Sequence, residues 1–164
     1  MKTKTIALTA LGIALYIVMS LTLKIPLVGH ISVDLGYIAL AVYCYHFGYI
    51  IGAIVGSCGC ALMSTLVYGM FPPGWFVGNI IIGTICGLFY YRNGRKRLLK
   101  NILITVVTVF VGVALTKTIM ECMIFDIPFA VKFPKNCVAF VCDAVAMSIG
   151  AAIAPKVPIS KYII

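Results

Sequence analysis

Arg92-Asn93-Gly94-Arg95-Lys96-Arg97-Leu98-Leu99-Lys100 carries five cations in nine residues, and the sequence on both sides of it is almost wholly apolar. In a soluble protein such a patch would point to nucleic acid. Flanked by long apolar runs, it reads as a cytoplasmic loop, because Lys and Arg are retained on the inner side of a membrane. Asn93-Gly94 supplies the turn between two helices.

Composition supports that reading. The chain has 164 residues, of which 63% are hydrophobic and 10% charged, with a mean hydropathy of +1.14. Soluble domains are about half apolar and one quarter charged, so this is an integral membrane protein. The expected fold is all-α, one domain over residues 1–164, with room for roughly six spans of about 20 residues and none for a separate soluble domain. The net charge of +9 then reflects basic loops against an anionic inner leaflet, not a nucleic-acid partner.

Taken in order, the spans are expected at residues 5–23, 35–45, 49–68, 75–91, 98–122 and 136–154. Lys2 and Lys4 before the first run also resemble the start of a signal peptide. That run is longer than a signal core, however, and no small-x-small cleavage site follows. The second run is short for a crossing, and begins nearer Ile31 or sits where the bilayer accommodates it. His46-Phe47-Gly48 forms a tight inner turn, Gly69–Gly74 a rigid outer loop, and residues 123–135 an outer segment. This topology puts Lys2, Lys4, Arg92, Arg95, Lys96, Arg97, Lys100, Lys156 and Lys161 inside. Only Lys24, Lys132 and Lys135 fall outside, with Lys117 within a span. Both termini are therefore expected in the cytoplasm.

Small residues at four-residue spacing mark closely packed helix faces: Ala10 and Ala14 (with Ala7), Gly52 and Gly56 with Cys60, and Gly83 with Gly87.

Polar groups inside the bilayer mark the candidate site, since a charge at a helix centre costs about 2.5–3.5 kcal/mol on insertion scales. They are Asn79, Lys117, Glu121 and Asp143, each within about 10 Å of the outer end of its helix at 1.5 Å per residue. Lys117 and Glu121 share a helix face, and Asp143 sits at similar depth on the next helix. Two readings stand. Lys117 neutralises Asp143 or Glu121 and locks the last two helices together, or the set lines an outward-facing pocket for a polar small molecule. For the pocket, Trp75, Phe71 and Tyr68 form one aromatic rim and Phe125 with Phe129 the other, under a lid at Pro72-Pro73-Gly74. The inner half lacks the carboxylate relay of a proton-driven carrier, which suggests a binder that needs an external motor.

Catalytic signatures are absent: no H-E-x-x-H, G-x-S-x-G or Walker A motif occurs, so no enzyme and no catalytic residues are expected. His46 reads as an interfacial turn residue, and no metal or cofactor site is expected. The seven cysteines read as small apolar residues. Cys122 and Cys137 flank the last outer segment, and sequence leaves their pairing open.

Several stretches resemble a known family: Ala10-x-x-x-Ala14, Asp34-Leu35-Gly36-Tyr37-Ile38-Ala39-Leu40-Ala41, and Phe47-Gly48 followed by Gly52-Ala53-x-x-Gly56. So does the Gly69…Phe71-Pro72-Pro73-Gly74 loop before Gly83-x-x-x-Gly87. Together they are similar to the substrate-binding S-component of energy-coupling-factor (ECF) transporters. The resemblance implies a riboflavin-, folate- or queuosine-precursor-like ligand captured from outside a bacterial plasma membrane. It implies a transmembrane T-component, contacted through Ala10 and Ala14, and two ATPase subunits as partners. It also implies gating by the outer loops around His30 and Asp34 and around Phe71, Pro72, Pro73 and Gly74. The loop Pro72-Pro73-Gly74-Trp75 departs from folate-like members, and no motif names the cargo. A self-sufficient dimeric carrier and a structural subunit without ligand are the alternative readings.

Overall fold

The structure, a computed structural model, describes residues 3–22, 25–26, 32–93 and 98–157. His30, Lys24 and the centre of the basic loop (Gly94 to Arg97) lie outside the described residues. The elements are α1 (Thr3–Thr22), a two-residue antiparallel ladder of β1 (Ile25–Pro26) and β2 (Ser32–Val33), α2 (Gly36–Tyr68) and α3 (Pro73–Asn93). They continue with α4 (Leu98–Val109), a π-helical stretch (Phe110–Lys117), α5 (Thr118–Phe125) and α6 (Phe129–Ile153). From Leu98 to Phe125 the chain forms one rod, and among the described residues five helical segments are long and apolar enough to cross a membrane.

The second of these segments folds back on itself. Gly48 has φ 77° and ψ −164° within α2, a conformation that glycine reaches without a Cβ penalty. On either side of it, Gly52 packs on Cys44 and Gly56 on Leu40. A straight helix would hold Leu40 and Gly56 about 24 Å apart at 1.5 Å per residue. The two arms are therefore antiparallel, with the reversal at Gly48. The turn expected over His46-Phe47-Gly48 reduces to one residue: His46 and Phe47 stay helical, and His46 Nε2 lies 3.0 Å from the Ala154 carbonyl.

Small residues govern the packing, as the four-residue spacing predicts. Helices in lipid gain no hydrophobic drive toward one another, so close approach and dispersion must hold them. A Cβ on Gly83 would come within 2.5 Å of the Gly52 carbonyl, and Gly87 meets Gly48 and Tyr49 in the same way. Gly78 faces Gly112 across the α3–π contact. Tyr16, Tyr37, Leu40, Cys44, Val55 and Ile82 fill the centre, while Leu11, Leu62, Leu103 and Val141 face outward. All seven cysteines, Cys122 and Cys137 included, are free thiols.

The outer segment expected at residues 123–135 is only residues 126–128 long. α5 continues to Phe125, Asp126 turns the chain at φ 50°, and α6 begins after Pro128. Pro128 stands at the helix entry, where its fixed φ favours the start. Pro134 lies inside α6, near its N-terminal end, where its missing N–H removes a single ladder bond. Likewise Pro73 and Gly74, expected in the loop, open α3.

The Gly83–Gly52 contact is backbone against backbone and cannot relax by a side-chain rotation. Gly83→Ala is expected to lower stability in detergent by about 1–3 kcal/mol. Outward-facing Leu103→Ala should stay within about 0.5 kcal/mol of the parent. Equal melting temperatures for the two variants would refute the close approach.

Candidate functional site

Two polar knots sit at the end of the bundle that holds the α1–α2 connection and residues 69–72 and 126–128. The first surrounds Lys117, the last residue of the π stretch. Its ammonium donates to Asn136 Oδ1 at 2.6 Å, stands 3.8 Å from Glu121 Oε1, and lies 4.0 Å from the centroid of the Trp75 ring. Asn136 in turn donates to Thr118 Oγ1 (2.8 Å) and Glu121 Oε2 (3.3 Å), and Lys132 pairs with Glu121 at 3.4 Å. Gly74 is buried with its Cα against the Lys117 backbone, so α3 presses directly on this knot. Lys117 is only 7% exposed. Its partners are those a buried cation requires: an anion, a dipole and an aromatic face.

The second knot surrounds Asp34. One carboxylate oxygen accepts from Ser20 Oγ (2.5 Å) and from the Gly36 N–H (2.9 Å), and the other from the Tyr16 hydroxyl (3.1 Å). This carboxylate ties α1 to the start of α2. Expected as a gating-loop residue, Asp34 is an anchor in the described structure.

Between the knots lie three buried polar side chains whose hydrogen-bonding capacity is not filled. Tyr37 and Asn79 are 0% exposed and Asp143 is 1% exposed. Among the described residues, the Tyr37 hydroxyl, Asn79 Oδ1 and Asp143 Oδ2 have no hydrogen-bond partner. They are electrostatically coupled: the charges of Asp143 and Asp34 and the amide of Asn79 act on Tyr37. Asp34 and Lys117 act electrostatically on Asp143. Asn79 commits its amide to the Trp75 carbonyl at 3.0 Å. Orphaned buried polar atoms are rare and costly, and three of them, one each from α2, α3 and α6, call for partners.

A cleft of about 190 Å³ opens one helical turn from Asn79, at Trp75, lined by Ser64, Tyr68, Met70, Phe71, Pro72, Pro73, Gly74, Trp75, Glu121 and Phe125. The rim expected from Tyr68, Phe71, Trp75 and Phe125 thus surrounds one opening. Phe129 is not part of it and stacks on Phe133 at 5.0 Å. Lys117 forms its ion pair with Glu121 and none with Asp143 among the described residues. Ala10 and Ala14 lie on the outward face of α1, opposite buried Gly12, Tyr16 and Ser20.

Sequence reasoning missed Asn136, Thr118, Tyr37, Tyr16 and Ser20. Asn136 had a signal, since it is a polar residue at the expected start of a span. The hydroxyls had none, because Ser, Thr and Tyr occur throughout membrane helices.

The family described as "ECF-type riboflavin transporter, S component" matches residues 1–157. A UPF0397 protein of Streptococcus thermophilus is 34% identical over 86 residues, or 52% of this chain. That match spans about half the relative, 48% of its length. A UPF0397 protein of Lactococcus lactis is 23% identical over 161 residues, covering 93% of this chain and 88% of the relative. Among solved structures, FolT bound with folic acid superposes with a TM-score of 0.74 at 17% identity, covering 97% of this chain and 96% of that one. At that identity the likeness establishes a shared fold.

The hydrogen bond between Lys117 and Asn136 predicts strong coupling. In a double-mutant cycle of Lys117→Met and Asn136→Leu, the stability losses should be non-additive by about 0.5–3 kcal/mol. Each single change leaves a buried polar partner unsatisfied, whereas the double change removes both. Additive losses in detergent denaturation would mean the contact carries no energy.

Proposed function

Because the chain belongs to the ECF-type riboflavin transporter S component family, we propose that it captures a small water-soluble heterocycle from outside the cell for uptake driven by ATP hydrolysis in partner subunits. Family and fold are those of transporter S components, not of enzymes. The observation that carries the reading is the aromatic cleft, whose Trp75 holds the amide of Asn79, one of three buried polar side chains left unfilled among the described residues. In this reading Asn79 and Asp143 are polar ligands of the site. Trp75 forms a wall, and Lys117 with Glu121 sets the charge of the rim. Folic acid, the ligand named for FolT, is a vitamin of the ring-bearing kind that such a cleft suits.

Topology follows from the same reading. Counting the two arms of α2 separately gives six crossings, and the reversal at Gly48, the basic loop and the end of α6 then share one end of the bundle. Basic loops favour the cytoplasm, so both termini are cytoplasmic and the polar end faces outward in a bacterial plasma membrane. The described inner end buries neutral groups such as Asn101, Thr105 and Thr108. They do not form the carboxylate relay of a proton-driven carrier, which favours an external motor: a T-component and two ATPases. The exposed Ala10 and Ala14, flanked by exposed Leu11 and Leu15, offer the T-component a close-approach face. Gating falls to the α1–α2 connection, with His30, and to the loop at Phe71 and Pro72.

Mass spectrometry of material that co-purifies with the protein, with a visible spectrum for flavin, tests the capture role directly. A ligand at 100 times its Kd should raise stability by about 2.7 kcal/mol. A protein that co-purifies with nothing and gains no stability from any vitamin would be structural. Replacing Ala10 and Ala14 by Trp is expected to stop uptake and spare ligand binding. Uptake that persists in cells lacking the ATPases would favour the dimeric carrier.

A further inference from the structure

Where α4 packs on α6, the two helices leave a shallow groove of about 480 Å³ on the outer face of the bundle. Val106 comes from α4, and Ala144, Ser148 and Ala152 of α6 keep the groove open because their side chains are small. Val145 and Ile149, both exposed, stand beside them. The lining is apolar apart from Ser148. Phe140 lies at the end nearer the middle of the bilayer, with its ring edge-on to Phe110 at 5.4 Å. From Phe140 to Ala152 the groove runs about 18 Å at 1.5 Å per residue, a little over half of the ~30 Å hydrocarbon core. That is the depth of one leaflet, and so the reach of one acyl chain. A partner helix crossing the membrane would call for a seam of full length.

The other end of the groove is the basic end of the protein. Lys156, one turn beyond Ala152, is exposed. The Arg95-Lys96-Arg97 run leads directly into α4, whose first turn carries the exposed Lys100. An apolar slot one leaflet deep that ends among cations complements a molecule with a hydrocarbon tail and an anionic head. Basic sites between helices at the cytoplasmic surface hold anionic head groups by this charge match. We propose that the α4–α6 groove holds one acyl chain of an anionic phospholipid, whose phosphate is met by Lys156 and the cations at the start of α4. The chain supplies dispersion contacts to Ala144 and Ser148 that no neighbouring helix provides there. Its head group ties the basic end to the membrane surface. The site is separate from the cleft at Trp75 and does not depend on what that cleft captures.

The experiment titrates the purified full chain in detergent with dioleoylphosphatidylglycerol or dioleoylphosphatidylcholine and reads bound lipid by native mass spectrometry. The acyl chains are identical, so any difference reports the head group. Phosphatidylglycerol should bind on the order of tenfold more tightly, the factor that two cations beside one phosphate imply. Ser148→Leu, which fills the groove, should weaken phosphatidylglycerol by about tenfold or more. Leu62→Phe, on the outward face of α2, should leave it unchanged. Lys100→Gln combined with Lys156→Gln should erase most of the preference while the acyl chain still binds. Equal affinity for the two lipids, or binding indifferent to Ser148→Leu, overturns the proposal. So does a dimer that Ser148→Leu separates, which would assign the groove to a second copy of the chain. If Ser148→Leu does not fold, the wild-type preference and its loss in the lysine variant decide.

Discussion

An ammonium cannot stand unpaired among hydrocarbon, and the polar end of this protein is arranged round that constraint. Lys117 is satisfied by groups from three directions: Asn136 on α6, Glu121 one turn along its own rod, and the face of Trp75 on α3. To bring those groups together, the rod from Leu98 to Phe125 must lie against both α3 and α6 at this level. The charge thus sets where the helices meet as well as being stabilised by them. Glu121, shared between Lys117 and Lys132, extends the tie toward the membrane surface.

The middle of the bundle is held differently. There the contacts are backbone to backbone, at Gly83 on Gly52 and at Gly78 on Gly112. Dispersion between closely approaching helices replaces the hydrophobic drive that a soluble core would have. The polar end therefore gains its specificity from directed bonds, and the remainder from shape. The cleft at Trp75 lies at the polar end, with a rim formed partly by residues 70–72.

Much of this was legible in the chain. Charge is costly in lipid, so Lys117, Glu121 and Asp143 stood out against an apolar background, and Asn79 followed by depth. Glycine spacing gave the packing faces because only small residues let helices touch. Other features were hidden for physical reasons. Residues 129–135 carry two lysines beside Pro134 and read as a loop, yet Lys132 is satisfied by Glu121 and the proline costs one bond near a helix start. Asp34 read as a loop carboxylate because its partners, Tyr16 and Ser20, lie a whole helix away in sequence. The π stretch ahead of Lys117 has no compositional signature, since its effect is to re-phase a helix whose residues are ordinary.

The reversal at Gly48 has a consequence for assembly. The arm from Gly36 to Cys44 buries nearly every side chain, on all sides, so it meets neighbouring helices where other rods meet lipid. A rod in that position has no need to match bilayer thickness by itself, because helices and not lipid surround it. It cannot rest stably in the membrane on its own. It depends on its neighbours for enclosure, so any change that loosens α1, α3 or α6 exposes it to lipid.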